Sequence, residues 1–169
     1  MSTTTSSVHA ALGDLDHELA TTRRALERVT DEKLDWKPHP KSMSLGGLAS
    51  HIATVPGWAG RILGAAEFDL STVGPAGTNL ARTRDEILGR FDENAATFRS
   101  ALDAAPPEAL RELWTLRNGE QVLFQLPRVA VLRNMTISHM VHHRAQLGVY
   151  LRLLDIPVPS AYGPSADEG

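Results

Sequence analysis

PRVAVLRNMTISHMVHHRAQLGVYLRLL, residues 127–154, is the stretch on which the reading of the fold turns. Leu132, Met135, His139, His143, Gln146, Tyr150 and Leu153 recur at steps of three and four, which makes one stripe along an α-helix. Ile137, Met140, Leu147, Leu151 and Leu154 form a second stripe. Pro127 is tolerated in the first turn, where its missing amide proton costs nothing. At 1.5 Å per residue the helix is about 40 Å long. A helix apolar over so much of its circumference touches two neighbours or another subunit. An exposed apolar strip of that length is unusual on a monomer, so a homodimer is expected.

Working outward, Ile87, Phe91, Ala95, Phe98 and Leu102 give a third helix its buried face, with Thr83 as N-cap and Glu86 completing a capping box. DAAPPEA (103–109) ends it. Two β-prone runs then flank Asn118-Gly119, the pair that best tolerates the positive φ of a type I′ turn, and predict a small hairpin. Upstream, Ser44 caps a second helix with the stripe Leu45, Leu48, Ile52, Val55 and Ile62. His51 falls on this stripe. Pro56 deprives the residue 52 carbonyl of its partner and should kink or open the helix there. The first helix carries Val8, Leu12, Leu15, Leu19, Leu26 and Val29, and the two prolines of WKPHPKSM (36–43) close it with an ordered loop. The spacing predicts an all-α, up-down four-helix bundle with a small β-hairpin between helices three and four. Its parts are a disordered Ser/Thr-rich leader (1–7), the bundle (8–156) and a C-terminal tail (157–169).

A chain of 169 residues buries about 70% of its unfolded surface, enough for one substantial core. The 17 Lys and Arg against 20 Asp and Glu leave a net charge of −3, which offers neither a nucleic acid nor an anionic membrane a basic field. No stretch approaches the ~18 apolar residues of a membrane span, and the expected location is the cytoplasm. There is no cysteine, so a thiolate metal site and a protein-borne thiol nucleophile are excluded.

The histidines are the chemistry-bearing residues. Residues four apart on a helix stand one above the other, so His139 and His143 can aim two imidazoles at one volume. His142, three from His139, competes for the role, and periodicity leaves the two pairings open. His51 faces inward on the neighbouring helix and can complete a facial set. Three neutral ring nitrogens hold Zn²⁺ or Ni²⁺ at about 2.0–2.2 Å and leave positions open, the pattern of a catalytic site. The alternative is three hydrogen-bonded core histidines, since unpaired polar rings in a core cost several kcal/mol. His9, His17 and His39 are expected in solvent or loops, although His17 lies near the flank of the first stripe. Gln146 reads equally as a partner of a ligand imidazole and as a residue tied to backbone. Arg144 points away as a surface or ion-pair residue, Asp16 and Glu18 as solvated helix residues. Trp36, Trp58, Trp114 and Tyr150 read as packing residues, with a pocket wall as the alternative. No nucleophile elbow or phosphate loop is present.

WKPHPKSMSLGGLASHIATVPGW (36–58), SHMVHHRAQLGVYLRLLDIPVP (138–159) and YGPSAD (162–167) together resemble the DinB family of damage-inducible, YfiT-like metalloenzymes, and the likeness spans nearly the whole chain. The resemblance implies a four-helix bundle, often dimeric, with a divalent metal held by one ligand from the second helix and two, spaced by four, from the last. Carried over position by position, it assigns the ligands to His51, His139 and His143 and makes His142 a neighbour. Ala145 stands where family members commonly have glycine, a small change that should leave the metal site intact. The resemblance further implies a transferase that adds a low-molecular-weight thiol to an electrophilic small molecule in stress response or detoxification. A metal-dependent hydrolase and a non-catalytic metal-binding stress protein are the alternatives.

Overall fold

The computed structural model describes residues 12–74 and 80–168. The leader, Val8 and His9 lie outside the described residues. Helix α1 (Leu15–Leu26) buries Leu15, Leu19 and Leu26 on one face. Helix α2 (Leu45–Thr54) starts where expected, because the Ser44 hydroxyl accepts the Gly47 amide at 3.1 Å. Pro56 cannot supply the bond that an uninterrupted helix needs, and a 3₁₀ turn (Val55–Gly57) separates α2 from α3 (Trp58–Gly64). The break is filled from across the core. Asn94 donates its amide to the Ala53 carbonyl at 2.9 Å, and a Cβ on Gly57 would sit 2.2 Å from Asn94 Oδ1.

Helix α4 (Arg84–Ala104) buries all five residues of its expected stripe: Ile87, Phe91, Ala95, Phe98 and Leu102. Thr83 Oγ1 accepts from the Glu86 amide at 3.1 Å, while Glu86 reaches back to the Arg82 amide at 2.8 Å. The reciprocal half of the capping box thus falls one residue earlier than its usual form.

The last stretch is helical throughout but not uniformly α. Pro127 occupies the N-cap of α5 (Arg128–Val131), a π-helical segment (Leu132–Ser138) follows, and α6 (His139–Leu153) carries the histidines. Within the π segment the Thr136 hydroxyl donates to the Leu132 carbonyl. Both α1 and α2 pack against α4 and against α6, which closes the four-helix bundle.

Two expectations need correction. The second stripe of the last helix is not an exposed strip: Ile137, Met140, Leu147 and Leu151 are at most 2% exposed, within the chain's own core. The apolar side chains that α6 does expose are Val149 and, from the first stripe, Leu153, at 58% and 59%. An exposed apolar strip on the last helix is therefore no ground for a homodimer, and that expectation rests on the family resemblance.

The hairpin is also part of something larger. Strand β1 (Glu67–Asp69) pairs in parallel with β2 (Leu113–Asn118), which pairs antiparallel with β3 (Gln121–Pro127), giving a three-stranded sheet. Asn118 pairs with Gln121, so the two turn residues are Gly119 and Glu120, and positive φ falls on Gly119 alone (59°). Glycine at the first central position is the type II′ arrangement rather than type I′.

Candidate metal centre

The kinked second helix and the last helix face each other across the core, and the histidines meet between them. His51 Nε2 lies 3.1 Å from His139 Nε2, which lies 2.8 Å from His143 Nε2. All three ligand atoms fall within 4.8 Å of one another, and all three rings are half-buried. The structure thus brings together His51, His139 and His143 and leaves His142 outside, exposed, with its ring edge-on to His143. His17 is exposed beside Tyr162, and exposed His39 accepts the Lys41 amide.

The positions of the protons give the cluster its character. His143 Nδ1 sits 2.7 Å from Gln146 Oε1, and an amide oxygen only accepts, so Nδ1 carries the proton and Nε2 the lone pair. The Met135 carbonyl, in the π segment one turn earlier, favours the protonated form of His139. His139 Nε2 faces the Nε2 atoms of both His143 and His51. The His143 lone pair, 2.8 Å from His139 Nε2, is satisfied either by a proton on that nitrogen or by a cation between the rings.

All three rings resist protonation. Burial is the largest cause for each. It combines with the neighbouring His143 and His139 to push His51 down to about 4. The charges of His143 and His142 add to burial at His139, against the Met135 bond. At His143 the Gln146 bond opposes burial without overcoming it. The rings are therefore neutral at physiological pH, the form in which imidazole binds a metal.

A divalent cation fits this set. Metal–nitrogen distances of about 2.0–2.1 Å place ligands about 2.9 Å apart at right angles and about 3.3 Å apart at the tetrahedral angle. The observed 3.1 Å separation falls midway between these values and the 2.8 Å separation just below the right-angle one. Three nitrogens on one face leave the remaining positions free for other ligands.

Trp58 closes one side, its ring edge-on to His51 at 6.1 Å and to His139 at 5.4 Å between centroids. It also packs on the core, so packing and wall are one role. Tyr150, two turns beyond His143, stacks edge-on with Trp36 and donates to the Met43 carbonyl. Trp114 is a packing residue beneath the sheet, against Phe124.

Arg144 is an ion-pair residue as expected, but a buried one. Its partner Glu18 is 4% exposed, which corrects the reading of that residue as solvated. The signal was present in the sequence: Glu18 stands three residues from Leu15, on the inner face of α1.

The DinB family model matches residues 1–169. The chain is 27% identical over 157 residues to the uncharacterised Bacillus subtilis protein YrdA, an alignment covering 90% of this chain and 86% of YrdA. A solved DinB-like protein from Bacillus cereus superimposes with a TM-score of 0.70 at 24% identity, over 90% of this chain and 95% of the other. A DinB-like protein from Bacillus subtilis, YjoA, gives 0.68 at 16% identity, over 90% and 96%. At these identities the solved structures speak for the fold. With the family model matching the full length, the chain belongs to the DinB family.

Proposed function

We propose that the protein is a divalent-metal enzyme, with His51, His139 and His143 holding Zn²⁺ or Ni²⁺, that transfers a low-molecular-weight thiol to an electrophilic small molecule. The observation that carries the metal is the convergence of the three Nε2 atoms, 2.8 and 3.1 Å apart. When bound, the cation supplies Lewis acidity, lowering the pKa of a thiol or water at its open face. The chain's own residues do the rest. Gln146 holds the His143 ring proton on the far nitrogen, so that its lone pair faces inward. Trp58 keeps water from one side of the cluster. The thiol has to arrive as a cosubstrate, because the chain has no cysteine. The family resemblance supports thiol transfer over hydrolysis.

Protein purified without a metal-affinity tag and loaded with Zn²⁺ or Ni²⁺ should consume a model electrophile only when a low-molecular-weight thiol is added. Turnover without thiol, releasing a hydrolysed product, would replace transfer with hydrolysis. Stoichiometric metal with neither activity would leave a metal-binding protein without catalysis.

A further inference from the structure

Arg144 follows His143 by one position and points about 100° further round the axis of α6, toward α1. Its guanidinium and the Glu18 carboxylate are 2.7 Å apart, with the residues only 6% and 4% exposed. The Tyr162 hydroxyl closes the figure, accepting from Arg144 at 2.7 Å and donating to Glu18 Oε1 at 2.8 Å. Thr22 accepts a further, longer bond from Arg144 at 3.3 Å. Three separate segments, α1, α6 and the C-terminal tail, therefore meet in one ring of charge-assisted bonds. The tail is held to the same two helices by Arg24 on the Ser160 carbonyl and by the pair Arg152–Asp167, and to the loop after α1 by the pair Arg28–Glu168.

The position of this ring matters because of what α6 carries. Two ligand rings project from α6 and the third from α2, so the cluster closes only at one rotation of α6 about its axis. Apolar packing fixes a helix's azimuth only through the fit of its side chains, whereas bonds to planar charged groups add a fixed direction of their own. A ring nitrogen about 6 Å from the axis moves about 1 Å when the helix turns 10°. Metal–ligand distances tolerate only about 0.2 Å. The ring of bonds acts one residue from His143, where the tolerance is tightest.

We propose that Glu18, Arg144 and Tyr162 are positioning residues for the metal centre, fixing the azimuth of α6 so that His139 and His143 meet His51. This role rests on the metal reading above. It implies that the ring can be removed without loss of the fold, since a buried ion pair replaced by apolar groups of similar size is often neutral or stabilising.

The test is Co²⁺ titration of the full chain, read by visible absorption, which reports ligand geometry, alongside thermal unfolding of the metal-free protein. Glu18→Leu/Arg144→Met should keep its unfolding temperature within a few degrees, yet bind Co²⁺ about tenfold more weakly with an altered absorption band. Tyr162→Phe, which removes one oxygen, should show the same change of band with a loss of about threefold, and decides the matter alone if the double variant does not fold. Folded variants with wild-type affinity and band would overturn the positioning role while leaving the metal reading intact. Wild-type protein that takes up no Co²⁺ would overturn both.

Discussion

His143 gives its one ring proton to Gln146 and turns its lone pair toward His139. That bond is a small part of the molecule, but it decides which nitrogen is available. Gln146→Leu should leave the fold unchanged and weaken Zn²⁺ or Ni²⁺ binding by about tenfold in a calorimetric titration; unchanged affinity would mean that the ring is oriented by other contacts. The low proton affinity of His51 has a consequence for stability. Its pKa is near 6.5 unfolded and about 4 folded, so the unfolded chain takes up the extra proton between those values. The metal-free protein should therefore keep its full stability above about pH 6.5 and lose up to about 3 kcal/mol from this ring as the pH falls to about 4. Denaturant titrations at pH 7.5 and 4.5 measure it, and equal midpoints would contradict the shift.

At the scale of elements, the break in the second helix depends on a close approach. Gly57 has no room for a Cβ beside Asn94, whose amide supplies the Ala53 carbonyl with a partner. Gly57→Ala should displace that amide and cost about 1–3 kcal/mol, measured as a fall in the urea midpoint with an unchanged slope. Some elements were legible in the sequence, others were not, and the difference is physical. The α4 stripe could be read because a 3.6-residue period records burial directly, and all five of its residues are buried. Strand β1 could not, because three residues are too few to show alternation and their partners, Thr115 to Arg117, lie far along the chain. The π segment leaves no mark on the apolar pattern, and the bond of the Thr136 hydroxyl to the carbonyl four residues back recurs at Thr97 inside the regular helix α4. Periodicity also could not choose between His142 and His143: the choice depends on where α2 places His51, a tertiary fact.

For the whole molecule, the bundle holds a polar cluster on each side of α6: the histidines toward α2, and Glu18 with Arg144 toward α1. The family fold accounts for the frame, and the side chains account for the site. No described helix is long and apolar enough to cross a membrane. The burial of Ile137, Met140, Leu147 and Leu151 changes what a dimer would require. A homodimer built on the last helix has the outward Val149 and Leu153 to use, so Leu153→Glu should shift light scattering to the monomer mass. A dimer that survives the change uses another face. The most direct test of the central claim is calorimetric titration of tag-free protein with Zn²⁺ and Ni²⁺. The account predicts one ion per wild-type chain and none in His51→Ala and His143→Ala proteins whose circular dichroism is unchanged. Wild-type protein that binds no ion, or variants that bind as well as it does, would contradict it.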